Sequence, residues 1–459
     1  MIFPTTNQLR ARLHAVLASK TEQGFQTDEA RAELHTLPDS YDAIWHFARD
    51  LAHLPLRADW PYEEPDDLEG IRRACGDAWN FAPVAVPDAS ERIEAAFLGS
   101  VCGCILGKPI EVSPSSERLR RAFEPIGEWP IRDYVPVAAL DALNSRHPSW
   151  ATTTRGNIAF VEPDDDMNYT VLGMLVLERF GPDFSTDDVR QMWLEHNAPN
   201  MVWGPERTQL LNTLLAHTFA EGQRPDTRTW AAIFNPGDEL CGAQIRADAY
   251  GYGALGDPAR AAEWAYRDAA FTHRKTGVYA TMWTAAAIAA AFIAQNPLDI
   301  FAIANRFVPP RSRFGAVARE ALELVRESKS FWDGYGAIHV RYGEHGHCRV
   351  LQESATLVNT LRWATSVDDA FCKQVMQGND TDSYGATSGS LAGAFFGPGH
   401  LDPRWLAPFQ DDIRTGLSFF FERSLSRLAR RMGELPGKMA TFRPQVPDTP
   451  RERLNLSGE

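Results

Sequence analysis

Two segments concentrate side chains able to hold a metal ion or move a proton. In Glu162-Pro-Asp164-Asp165-Asp166-Met-Asn-Tyr-Thr170, three consecutive aspartates precede VLGMLVLERFG, where Val171, Leu172, Met174, Leu175 and Leu177 recur with helical spacing. The aspartates therefore sit at a helix start. One aspartate there is accounted for by N-capping and by complementing the positive helix end. Three exceed what a cap uses, and a cation relieves their mutual repulsion. On residue types alone, capping and metal binding both stay open. The second segment, Gly378-Asn379-Asp380-Thr381-Asp382-Ser383-Tyr384-Gly385, puts two carboxylates and a hydroxyl at a loop-to-helix junction. The small residues that follow it, through Gly389 and Gly393 to Gly397, let helix backbones pack closely but do not explain the acids. An all-oxygen donor set favours Mg2+ or Mn2+ over zinc, which prefers His or Cys.

Two further segments carry weaker signals. Gly99, Gly103 and Gly107 recur every four residues and predict a tight helix crossing. Glu111 follows Pro109 at the end of that helix, where a carboxylate opposes the negative helix end. It needs a compensating partner, and a metal or its water would serve. The run from Gly256 to His273 leads into Gly277-Val-Tyr279. By residue type alone, a lone histidine such as His273 is more often a satisfied core or surface residue than a catalytic one.

These residues must be positioned by helices. From about residue 91 the chain consists of long segments rich in Ala, Leu and Gly, with few alternating β-branched runs, which predicts an all-α domain over 91–444. TMWTAAAIAAAFIAQ is apolar nearly all round and predicts an enclosed central helix. Residues 1–90 form a helical N-terminal extension, with Leu9, Leu13, Val16 and Leu17 on one face. In WPYEEPDDLEG, Pro65 fits a first helical turn and Asp66, Asp67 and Glu69 complement its positive end, which predicts a solvated, capped helix. Residues 445–459 are polar and proline-broken and predict a loose tail.

With 459 residues, 44% of them hydrophobic, the chain can bury a large core. A formal charge of −14 leaves no basic field for nucleic acid or for an anionic membrane. The six cysteines show no CxxC pair, which fits a reducing compartment. The N-terminus does not have the pattern of a signal peptide, and the greasy run Ala285 to Ala294 falls far short of the roughly 20 residues that span a bilayer. A cytoplasmic location is expected.

Taken in order, the four segments resemble the ADP-ribosylglycohydrolase family from Glu91 to Met432, with GNDTDSYGA the most specific element. CGAQIRADAYGY at 241–252 and the stretch from His345 to Asn359 look like further family segments. The resemblance implies an orthogonal multi-helix bundle with two Mg2+ ions, or Mn2+ in their place. By that match Asp164, Asp165 and Asp166 would hold one ion, Asp380 and Ser383 the other, and Asp382 would bridge both. Glu111 matches a glutamate beside the metals, and Glu111, Asp165 and Asp380 become the candidate catalytic carboxylates. His273 and Gly242 fall where the family binds substrate. The chain departs from the family in having Asp164 and Met167 where threonines are usual and Ser383 for a threonine. It also has Pro236-Gly-Asp238-Glu239-Leu-Cys241 in place of a glycine-rich, diphosphate-holding segment. Asp238 and Glu239 would repel a diphosphate.

The leading function is hydrolysis of an N- or O-ribosyl bond that releases ADP-ribose from a modified protein side chain such as arginine. The acidic substitution at 238–239 keeps hydrolysis of a small ribosyl compound or nucleoside open. A non-catalytic ligand-binding protein on the same fold is the third class, and retention of Glu111 with the full carboxylate set speaks against it.

Overall fold

A computed structural model describes residues 4–219 and 227–443. The expected tail at 445–459 lies outside the described residues. Helices account for the regular structure throughout; among the described residues only isolated bridges, such as Ser115 with Gly378, have β geometry.

The N-terminal helix Thr6–Glu22 starts at Thr5, whose side chain and that of Gln8 form a reciprocal capping box. It buries Leu9, Leu13, Val16 and Leu17. The helix Leu68–Cys75 begins later than the sequence suggests, with Asp67 as its cap accepting from the Gly70 N–H at 2.7 Å. Pro65 stands before it, its carbonyl bonded by the Tyr279 hydroxyl. This stretch is not a solvated helix start. The Glu64 side chain is buried against Arg313 and that of Asp66 is partly buried against Arg274, because basic residues far along the chain claim them.

The central helix is Lys275–Ala291, in which every residue is buried. It packs against the helices Pro258–Ala269, Pro297–Ala304, Asp248–Gly253 and Thr381–Phe396. An apolar stripe could not satisfy neighbours on all sides, which is why its second half, from Ala285 to Ala291, is apolar all round.

The contact that organises the rest joins the helix Ala89–Gly107 to Thr381–Phe396. The two run antiparallel, with Gly99 facing Gly389, Gly103 facing Gly385 and Gly107 facing Thr381. A Cβ on Gly103 would lie 2.1 Å from the Gly385 carbonyl oxygen, and one on Gly385 would lie 2.5 Å from that of Gly103. Backbone meets backbone, and no side chain can move aside. The stretch Ala89–Ile110 is long and apolar enough to cross a membrane, but 83% of its most apolar window is buried inside the protein, so its hydropathy belongs to this core.

Asp248, on the short helix Asp248–Gly253, is buried beside that crossing. Its Oδ2 accepts from the Ser100 hydroxyl at 3.0 Å and the Tyr252 hydroxyl at 3.4 Å. Burial pushes its carboxyl up to about 7.

Two measurements follow from this core. Gly103→Ala should destabilise the protein by about 3 kcal/mol or more, the upper end for overpacking, because neither backbone can yield. Gly336→Ala, at a helical position with open space around the new methyl, should be neutral or stabilising by up to about 1 kcal/mol. Urea unfolding of both variants checks the contrast. Asp248 binds its proton more tightly when folded than when unfolded, so its contribution is complete below about pH 4 and is lost as pH rises through about 7. Thermal melts should therefore show Asp248→Asn gaining on the parent protein across that window and keeping a constant offset above it. An offset that does not change with pH would contradict the assignment.

Candidate active site

Three helix ends meet where the glycine contact leads. The helix Ala89–Gly107 continues into a 3-10 turn, Lys108–Ile110, ending at Glu111. The helices Asp165–Phe180 and Thr381–Phe396 bring their N-termini to the same place. The Thr381 hydroxyl donates to the Gly107 carbonyl at 2.9 Å, fixing one end against the other. Two positive helix ends thus face a shared set of carboxylates.

Capping accounts for one aspartate. Asp164 is the N-cap, its Oδ1 accepting from the Asp166 N–H at 2.9 Å. Asp380 occupies the N-cap position of the other helix without making a side-chain cap. The Ser383 hydroxyl lies 3.4 Å from Asp166 Oδ2, joining the two acidic segments, and Asp382 Oδ1 accepts from the Ser383 N–H at 3.0 Å.

Lys108 lies at the centre of this set. Its Nζ stands 2.5 Å from Asp164 Oδ2, 3.0 Å from Asp382 Oδ2 and 3.0 Å from Glu111 Oε2. Glu111 thus has its compensating partner in Lys108, three residues earlier, with His147 Nε2 at 3.6 Å as a second neighbour. Asp164, expected to ligate metal, has one oxygen on the cap and the other on Lys108. Glu353 also belongs here, its Oε1 accepting the Asp380 N–H at 2.8 Å.

The charges do not balance. Glu111, Asp164, Asp165, Asp166, Asp380, Asp382 and Glu353 share one ammonium. Burial together with neighbouring carboxylates pushes Glu111, Asp165, Asp166 and Glu353 upward, and raises Asp380 likewise. Asp382 alone moves down: burial opposes its charge, but Lys108 outweighs that cost. Asp166 Oδ1 and Glu353 Oε2 are buried with no hydrogen-bond partner. Oxygen donors, surplus negative charge and unpartnered buried acceptors fit a hard divalent cation.

The expected substrate-side residues behave differently. Asp238 is fully buried, with Oδ2 2.8 Å from Lys20 Nζ and Oδ1 2.6 Å from Gln23 Nε2. Glu239 accepts two bonds from Arg313, at 2.6 and 3.0 Å. Both acids face the N-terminal extension and its neighbour Arg313, so the free negative charge expected to repel a diphosphate is neutralised. His273 is enclosed, with Nδ1 2.7 Å from the Thr272 hydroxyl and no exposed side-chain surface, so it does not face an open pocket. Burial and the nearby Arg246 hold its ring well below the ordinary histidine range. Gly242 leaves room for Glu206, whose carboxylate oxygens would lie 2.8 Å from a Cβ there. Glu206 pairs with Arg246 at 2.8 Å, and Arg246 pairs with Asp268 at 2.5 Å, forming a buried network beneath the site.

Sequence reasoning missed Lys108, Glu353 and Glu206. Lys108 had a signal, a lysine three residues before Glu111 at the end of the glycine helix. Glu353 and Glu206 had none, since each is a single carboxylate inside an ordinary helical pattern.

A family model described as ADP-ribosylglycohydrolase matches residues 85–439, well over half of the chain. The chain belongs to the ADP-ribosylglycohydrolase family. The carboxylate cluster is therefore found within an ADP-ribosylglycohydrolase domain, and the extension that supplies Lys20 precedes it. Among solved structures the chain is similar to one named "ADP-ribosylglycohydrolase-related protein complex", at 17% identity over 77% of this chain and 99% of that one, with a TM-score of 0.48. Comparison with curated proteins gives no match.

The buried pair beneath the acidic segment can be tested by itself. Lys20→Met leaves Asp238 charged and buried, and should cost about 3–5 kcal/mol. Adding Asp238→Asn should restore much of that loss, because the unpaired charge is then gone. Urea unfolding of the two single variants and the double variant completes the cycle, and strictly additive effects would show that the pair is not coupled.

Proposed function

We propose that this ADP-ribosylglycohydrolase-family protein releases ADP-ribose from a modified protein side chain, with arginine the leading acceptor, and does so with Mg2+ or Mn2+. The observation that carries the reading is the surplus of carboxylates at the three converging helix ends. Asp165 and Asp166 from one helix end, and Asp380, Asp382 and Ser383 from the other, are the groups that would hold the ions, with Asp382 the candidate to serve both. Bound there, two such cations would supply Lewis acidity and a template for the ribose hydroxyls.

The chain's own residues do the rest. Lys108 fixes Glu111, Asp164 and Asp382 relative to one another, so the acidic set is preorganised. Glu111 stands at the more open edge, its side chain 25% exposed. At that edge it is the candidate to accept a proton from an incoming water at its carboxylate and pass it to solvent. Cleavage of a ribosyl bond develops positive charge on the sugar ring, and the remaining carboxylates stabilise that charge. Neutralisation of Asp238 by Lys20 and of Glu239 by Arg313 removes the repulsion that would have disfavoured a diphosphate. The argument for a small, diphosphate-free substrate loses its footing with it.

The test is release of ADP-ribose from ADP-ribosylated arginine, run beside a nucleoside panel. Turnover should vanish after EDTA treatment and return with Mg2+ or Mn2+. Asp382→Asn, which retains size but loses charge, should lower turnover by on the order of a hundredfold or more and weaken both ions together in a calorimetric titration. Full turnover after exhaustive dialysis against EDTA would overturn the metal reading. Cleavage of nucleosides alone would overturn the ADP-ribose reading.

A further inference from the structure

Two cysteines that the hydrolytic reading does not use flank the same carboxylate. Cys241, at the end of the Pro236–Cys241 segment, places its Sγ 3.2 Å from Asp380 Oδ2. Cys348, just before the helix Val350–Trp363, places its Sγ 3.3 Å from the same oxygen. The two sulfurs and a carboxylate oxygen of Asp380 all lie within 4.8 Å of one another. The segments that carry them are held together by backbone: Leu240 and Arg349 form an antiparallel bridge, and the Cys241 N–H donates to the Cys348 carbonyl at 3.1 Å. Cys348 itself adopts a left-handed backbone, φ 59°, which an L-residue seldom takes up. His347 is next in the chain. Its ligating nitrogen, an oxygen of Glu111 and an oxygen of Asp380 form a second group within 4.8 Å, and its Nδ1 is buried with no hydrogen-bond partner.

We propose that Cys241, Cys348 and Asp380 form a three-ligand site for a thiophilic divalent cation of the zinc class, its fourth position left to water, separate in its donor chemistry from the all-oxygen centre beside it; His347, which groups with Asp380 and Glu111 rather than with the sulfurs, stays outside it. An ion bound tetrahedrally at about 2.3 Å from sulfur and about 2.0 Å from oxygen has sulfur–oxygen edges of roughly 3.5 Å. The two observed edges fall close to that value. Two thiolates and a carboxylate are donors that select such an ion over Mg2+, which takes oxygen ligands in octahedral geometry. A cation there clamps the 237–242 segment to the 346–349 segment. It also engages Asp380, the carboxylate that the oxygen-rich centre would otherwise use, so the two classes of ion compete through one shared ligand.

The experiment uses the full chain, reduced and stripped of metal with a chelator, titrated with Co2+ as a spectroscopic substitute for zinc. One equivalent should bring up a thiolate-to-cobalt charge-transfer absorption together with the intense visible bands of tetrahedral cobalt. Zn2+ should then bleach both. Zn2+ should also shield two cysteines from a thiol-reactive dye in the folded protein, and Mg2+ should shield none. In Cys241→Ser/Cys348→Ser the charge-transfer band should be lost, while circular dichroism and melting of the metal-free protein report whether the fold is retained. Should that variant fail to fold, Cys348→Ser alone provides the second test, with the charge-transfer absorption weakened relative to the parent protein. Octahedral, weakly absorbing cobalt in the parent protein, or no zinc protection of the thiols, would overturn the proposal. All of these readouts are taken without turnover, so their outcome is independent of whether the hydrolytic reading holds.

Discussion

The structure depends on a contact with no side chains in it. Where Gly103 and Gly385 meet, each backbone occupies the space a methyl group would need on the other. That closeness fixes the rise of one helix against the other to a fraction of a turn. It also sets which residues arrive at the common end: Lys108 and Glu111 from one helix, Asp380, Asp382 and Ser383 from the other. Close-packed interiors transmit small displacements rather than absorbing them. A shift at the glycines would be felt several residues later as a change in carboxylate spacing.

The second constraint is electrostatic and pulls the other way. Packing has collected seven carboxylates where only one ammonium is present, and burial makes each unneutralised charge costly. Lys108 settles part of this by taking Glu111, Asp164 and Asp382 at once. The remainder stays unresolved within the polypeptide, as the raised proton affinities of Asp165, Asp166 and Glu353 show. Surplus negative charge of this kind favours positive charge beside it, and oxygen donors as a class favour hard cations.

How much of this was legible in the sequence depended on whether the signal was local. The three aspartates before an apolar helix, the acids of GNDTDS and the four-residue glycine spacing are each contained in a short window, and the structure brings those three windows together. The all-helical class was legible for the same reason. Local pattern failed where partners are distant. Asp238 and Glu239 looked like free acids because Lys20 lies more than two hundred positions before Asp238 and Arg313 more than seventy after Glu239. Asp66 looked solvated because Arg274 is equally remote. His273 followed the family pattern, yet its burial against Thr272 and Arg246 is a property of packing that no spacing encodes. Lys108 was overlooked because a lysine beside a proline at a helix end is ordinarily hydrated.

The N-terminal segment and the ADP-ribosylglycohydrolase domain are joined by ions of both signs. Lys20 crosses from the extension to Asp238, while Glu64 and Asp66 cross to Arg313 and Arg274, and Lys275 stands 3.8 Å from Glu64. The match to the family begins only at residue 85, so every one of these pairs straddles that boundary. A domain cut there would lose its counterions in both directions and expose a patch of alternating buried charge that water would have to enter. In this chain the extension is therefore a permanent part of the folded unit, and any exchange of it for another sequence would have to carry the matching residues at 238, 274 and 313 along with it.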